Sequence, residues 1–217
     1  MITENIQKIL KTIPGDVTVL AAAKTRSVEM VREAHQAGLI HFGHNYVQEA
    51  AAMIPVIQEE IQWHMIGHLQ RNKAKQALGL FEMVDSVDSQ RLADELEKQA
   101  RQLERILPIM IEINIGEEEA KAGIDPNQAL QLADYIGNLS HVQLAGVMTM
   151  GPLSGDPENS RAYFKQTRKI FEQIKSVQPD IQILSMGMSH DYLVAVEEGA
   201  TMIRLGTAIF GERPQKV

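Results

Sequence analysis

The chain has 217 residues, the size of one domain and enough to bury a core without disulfide or metal staples. Hydrophobic residues make up 44% and charged residues 23%, ordinary globular usage that excludes wholesale disorder. A net charge of −7 excludes a nucleic-acid backbone as the main partner, and zero cysteines exclude disulfides, thiolate metal sites and Cys nucleophiles.

In chain order, residues 1–10 pattern as an amphipathic helix. Strand-like apolar or β-branched runs follow at 17–23, 40–43, 62–67, 83–87, 107–115, 144–150, 183–188 and 202–209. Between them, Ser27 caps a helix over 27–37 that carries Val28, Val31 and Ala34 and stops at Gly38. The stretch 89–103 repeats Leu92, Leu96 and Ala100 with charged residues on its other face. Asp125-Pro126 opens a further helix, Gly137-Asn138 closes it, and 156–177 is a long amphipathic helix ended by Pro179. This alternation predicts parallel βαβ units closing into a (β/α)8 TIM barrel, one domain over 1–217, with a doubly wound open sheet as the alternative. The loop over 151–157 is the most flexible-looking segment. No basic-then-apolar leader opens the chain, and no apolar run approaches the ~20 residues that span a bilayer. The expectation is a soluble, cytoplasmic protein.

Barrel chemistry belongs at the C-terminal ends of the strands. The polar residues falling there are Lys24, Asn45, His68, Asn114, Thr149, Ser189 and the turn Arg204–Thr207. Lys24 follows an uninterrupted apolar run at the barrel mouth. Partial desolvation there would lower its pKa and free the amine for carbonyl attack; the plainer reading is a strand-ending lysine that snorkels to water.

After the last strand, Gly206 and Thr207 offer backbone N–H groups and a hydroxyl, and the strand before it ends in Ser189. Barrels commonly bind phosphate between these two loops, at the first turn of the following helix. Arg204 lies two residues before Gly206, on the same strand face. It is costly to bury unpartnered, so it either pairs with a carboxylate such as Glu112 or faces a ligand atom deeper than the phosphate. His41, His44, His64, His68 and His190 cluster near strand ends, but His64 and His68 lack the helix and the intervening Glu of H-E-x-x-H. No metal site is expected; packing or supporting hydrogen bonds account better for these rings.

Seven segments together resemble a known family. They are Ala21-Ala22-Ala23-Lys24-Thr25, the stretch from Phe42 to Glu49 around Gly43-His44-Asn45, the stretch from Trp63 to Lys73 (W-H-M-I-G-H-L-Q-R-N-K), Lys121-Ala122-Gly123, Gly146-Val147-Met148-Thr149-Met150, Ser185-Met186-Gly187-Met188-Ser189-His190-Asp191, and the stretch from Arg204 to Gly211. In this order they are similar to the pyridoxal phosphate homeostasis proteins, the PLP-binding family also known as proline synthetase co-transcribed proteins. Two positions depart from the family pattern: His44 stands where Glu is usual, and Lys24 follows Ala-Ala-Ala rather than the commoner Val-Ser.

The resemblance implies a fold-type III barrel like that of alanine racemase, holding pyridoxal 5′-phosphate (PLP) as a Schiff base on Lys24. It implies that Ser189, Gly206 and Thr207 bind the phosphate, that Arg204 faces the pyridine nitrogen, and that Asn45 lines the ring or its 3-oxygen. It further implies a role in vitamin B6 and amino/keto-acid balance without established catalysis, with PLP-dependent enzymes as recipients. An always-charged arginine at the ring nitrogen leaves the ring a weak electron sink. Racemase relatives complete their site with a second domain, for which the six residues after Gly211 leave no room; a monomer is expected. The alternatives are an amino-acid racemase or decarboxylase, a barrel aldolase using Lys24 on a sugar phosphate, or an interaction module.

Overall fold

The computed structural model describes residues 1–116, 122–151 and 155–212. Its strands are β1 (Thr18–Ala22), β2 (His41–His44), β3 (Gln62–Met65), β4 (Met83–Val87), β5 (Leu107–Ile113), β6 (Val142–Thr149), β7 (Ile183–Met188) and β8 (Met202–Leu205). The helices are α1 (Ile2–Thr12), α2 (Val28–Gln36), α3 (Val47–Met53), α4 (Ala74–Leu78), α5 (Gln90–Gln102), α6 (Ala129–Gly137), α7 (Arg161–Val177), α8 (Tyr192–Glu197) and α9 (Thr207–Phe210). The strands pair in sequence order, all parallel, and β1 pairs with β8, so the sheet closes into a barrel. The open-sheet alternative is thereby excluded.

Local signals explain the helix starts. The Ser27 hydroxyl accepts from the Met30 N–H and that of Ser89 from the Leu92 N–H, each at 3.4 Å. The Asp125 carboxylate accepts from the Asn127 N–H at 2.7 Å, opening a 3-10 turn (Pro126–Gln128) that leads into α6. The run expected over 202–209 ends as strand at Leu205, because Thr207–Phe210 winds into one helical turn after Gly206. Helix α1 buries Ile2, Ile6 and Ile9 and lies beside α2 and α9, where the Asn5 side chain donates to the Ile209 carbonyl at 3.0 Å. It completes the outer helical ring.

The strands separate two cores. Val19, Ala21, Phe42, Trp63, Met65, Ile109, Ile111, Ile203 and Leu205 face the helices. Leu20, Met110, Met148 and Met202 form a second cluster with Ile66, Met83 and Ile183 inside the barrel. Alternation along each strand puts His64, Asp85, Glu112, Ser185 and Arg204 on that inner face, two residues from Ile66, Met83, Met110, Ile183 and Met202. The lower interior is sealed by methionine and leucine, and the part nearer the strand ends is polar. Lys121 and residues 152–154 of the 151–157 loop lie outside the described residues.

Candidate functional site

A cavity of about 450 Å³ opens at the C-terminal ends of the strands. It is lined by Lys24, Asn45, Ser189, Arg204, Gly206 and Thr207, together with Ile66, Met150 and Met188. Thus six polar or glycine positions from β1, β2, β7 and β8, far apart in sequence, meet in one concavity.

Lys24 leaves β1 through a tight turn. Ala23 still donates to the Gly43 carbonyl at 2.9 Å, and the Arg26 N–H returns to the Ala23 carbonyl at 3.0 Å. Between them Thr25 adopts φ 61°, a left-handed conformation that is strained for a β-branched residue, with its hydroxyl on the Lys24 carbonyl at 2.6 Å. Arg26 anchors the turn from below by donating to the Gly211 carbonyl at 2.7 Å. The Lys24 Nζ stands 4.9 Å from the centre of the Tyr46 ring. Asn45 is set by its neighbour Gly67, where any Cβ would collide with the Asn45 backbone.

The Ser189 hydroxyl lies between two backbone donors, accepting from Gly206 N–H and Ala208 N–H at 3.1 Å each. Together with the Thr207 hydroxyl this forms a set of hydrogen-bond donors at the β8–α9 turn. Asp191 fixes the loop that carries Ser189: its carboxylate accepts from the Met188 N–H at 2.7 Å and from the Ser160 hydroxyl at 2.8 Å. Its role as a brace was not legible in the sequence, although the Ser-His-Asp ending of the segment marks the position.

Arg204 is buried and held by neutral oxygens, donating to Ser185 Oγ and to the Thr149 carbonyl, each at 2.7 Å. Among the described residues no carboxylate pairs with it within 4.0 Å, so the expected alternative of a Glu112 salt bridge is not formed. Burial pulls the guanidinium below its ordinary pKa, with Asp85 and Glu112 opposing that shift through space. Glu112 itself is pushed up to about 7 by burial, against the attraction of Arg204.

The histidines take supporting places. His64 Nδ1 donates to Asp85 at 3.0 Å, which leaves Nε2 facing His41 Nδ1 at 3.1 Å. His68 pairs with Asp88 at 3.1 Å, and His190 lines the cavity. His44 faces the helical layer, stacked on Trp63 with ring centres 5.4 Å apart. Asp85, the buried end of the His41–His64 chain, was missed by sequence reasoning. Its only signal was a carboxylate inside an apolar strand.

The alanine racemase N-terminal domain family matches residues 1–214. A pyridoxal phosphate homeostasis protein of Pasteurella multocida is 40% identical over 220 residues, covering 98% of this chain and 94% of that protein. The structure of PipY from Synechococcus elongatus without PLP superposes with a TM-score of 0.92 at 35% identity, covering 97% of this chain and all of that one. The same protein with PLP bound gives a TM-score of 0.90.

Proposed function

This chain belongs to the pyridoxal phosphate homeostasis proteins, built on the alanine racemase N-terminal domain, and from that premise we propose that the strand-end cavity is its cofactor site. The chain is a PLP-binding protein of vitamin B6 and amino/keto-acid homeostasis. The observation that carries the site assignment is the convergence of Lys24, a backbone-and-hydroxyl donor set and a buried arginine on one cavity. PLP, when bound, supplies an aldehyde that condenses with amines and a ring that delocalises charge from the atom attached to it.

The residues fit that group. Lys24 is the cavity's amine, on a turn whose strained neighbour fixes its direction. The hydroxyls of Ser189 and Thr207 are donors suited to an anion, and the N–H groups of Gly206 and Ala208, which here point at Ser189 Oγ, would turn to the anion once that hydroxyl moves aside. Asn45 would border the ring. Arg204, braced by Ser185 and Thr149, presents a cation that only donates, so a ring nitrogen held against it would gain no proton. Such a ring would be a poor electron sink, which supports a carrier rather than an enzyme. In this reading the protein is a monomeric carrier that supplies PLP-dependent enzymes.

Borohydride reduction after incubation with PLP, followed by peptide mass mapping, tests this. The pyridoxyl label is expected on Lys24, and Lys24→Ala should lose both the label and the visible absorption band. The same loaded protein with alanine in heavy water should exchange the α-proton no faster than free PLP does. A label elsewhere overturns the site, and enzyme-like exchange overturns the carrier reading.

A further inference from the structure

Of the stretch Trp63 to Lys73, the barrel wall absorbs Trp63, His64 and Gly67. His68, Gln70 and Lys73 instead line a second cavity of about 460 Å³, together with Tyr46 and Gln48. The two cavities adjoin, because Asn45 lines both. Lys24 belongs to the first, while the Tyr46 ring beneath its Nζ belongs to the second. The lysine amine therefore stands at the junction.

The second cavity has a definite chemical bias. Lys73 is half-buried, and among the described residues no carboxylate lies within 4.0 Å of its Nζ. The carboxamides of Asn45, Gln48 and Gln70 make no hydrogen bonds to the described residues. His68 is already engaged by Asp88. A partly desolvated cation beside unengaged amide donors favours an anion. A single cation suits a carboxylate better than a phosphate dianion, which calls for further positive charge or a nest of backbone N–H groups.

We propose that this cavity is the carboxylate subsite for an α-amino acid whose amine displaces Lys24 from the cofactor, with Lys73 as the anchor and Gln48 and Gln70 as accompanying donors. The proposal rests on the cofactor reading above. In the exchange, the incoming amine nitrogen bonds to the former aldehyde carbon while the bond from that carbon to Lys24 Nζ breaks. Both bonds of the C=N link pass from Nζ to the incoming nitrogen, two protons pass from the incoming –NH2 to Nζ so that Lys24 leaves as a free amine, and nothing is oxidised or reduced. Amino acids thereby become the ligands that free Lys24, and amines lacking a carboxylate are disfavoured.

The test uses PLP-loaded full-length protein mixed with alanine or alaninamide at equal free-amine concentration. Samples are quenched with borohydride over time, and the label remaining on the Lys24 peptide is measured by mass. The same two amines reacting with the butylamine imine of PLP in free solution correct for intrinsic nucleophilicity. After correction, alanine should clear Lys24 about tenfold faster than alaninamide, the scale of one charge-assisted hydrogen bond. Lys73→Gln should bring the two amines within about twofold, and Lys73→Arg should restore a preference for alanine. Equal corrected rates in the parent, or an undiminished alanine preference in Lys73→Gln, would overturn the subsite. Absence of any label on Lys24 before an amino acid is added overturns the cofactor reading instead.

Discussion

His44 and Glu112 sit on opposite faces of the barrel wall, and among the described residues neither ring nitrogen of His44 nor Oε2 of Glu112 has a hydrogen-bond partner. Burial holds the His44 ring down to about 4 from its ordinary 6.5. The unfolded chain therefore takes up that proton first, and stability falls as pH drops from 6.5 towards 4. Glu112 runs the other way: its folded carboxyl keeps a proton up to about 7, whereas the unfolded one loses it near 4.5. Stability is therefore lost as pH rises between those values. Each effect is worth up to about 3 kcal/mol, at about 1.36 kcal/mol per unit. Between pH 4.5 and 6.5 they oppose each other, so in cofactor-free protein these two contributions largely cancel, and removing one should expose the other as a change in the slope of urea midpoint against pH relative to the parent. Glu112→Gln should gain stability with rising pH, and His44→Leu should lose it. Two variants tracking the parent's profile would refute both assignments.

At the scale of elements, the β7–α8 connection carries Ser189, whose hydroxyl meets the donor turn between β8 and α9. Gly187 has φ +92°, and a Cβ there would meet the Ala195 side chain of α8 at 2.5 Å. Gly187→Ala should cost about 1–2 kcal/mol for the left-handed backbone alone, with the steric clash added. Two residues on, displacement of Ser189 should weaken PLP about tenfold by absorbance titration, while Lys24 is still labelled at saturating cofactor. Unchanged affinity with lowered stability would uncouple this turn from the site. The sequence already marks this connection, because Gly, Ser and Asp cluster after an apolar run. Strand ends were less legible: 62–67 reads as one apolar run, but the strand ends at Met65, with a last N–H from Ile66 to the His44 carbonyl at 3.0 Å, and Gly67 then passes close against the Asn45 backbone. Hydrophobicity records burial, and burial here extends beyond the hydrogen-bonded ladder.

Over the whole molecule, both faces of every barrel strand are covered, so inward and outward residues look alike in a sequence read one strand at a time. That is why Lys24, Ser189 and Gly206, which lie beyond strands, were legible as candidate cavity residues, while Asp85, which lies within one, was not, and Glu112 was read only as a partner for Arg204, a pairing that does not form. Closure converts their alternation into a polar upper interior beneath the cavity, resting on the Leu20, Met110, Met148 and Met202 layer. The site thus exists only when the barrel is closed, and a ligand that binds there selects the folded state. At a concentration a hundred times its Kd, PLP should add about 2.7 kcal/mol, which for a chain of this length raises the melting temperature by about 5–10 °C. Pyridoxine 5′-phosphate has the ring and the phosphate but no aldehyde, so at the proposed site it would engage the Ser189–Gly206 turn without engaging the Lys24 amine. It should stabilise parent and Lys24→Ala proteins equally, whereas PLP should stabilise the parent more. Equal shifts from both ligands in the parent would mean that the covalent bond to Lys24 contributes nothing to holding the cofactor.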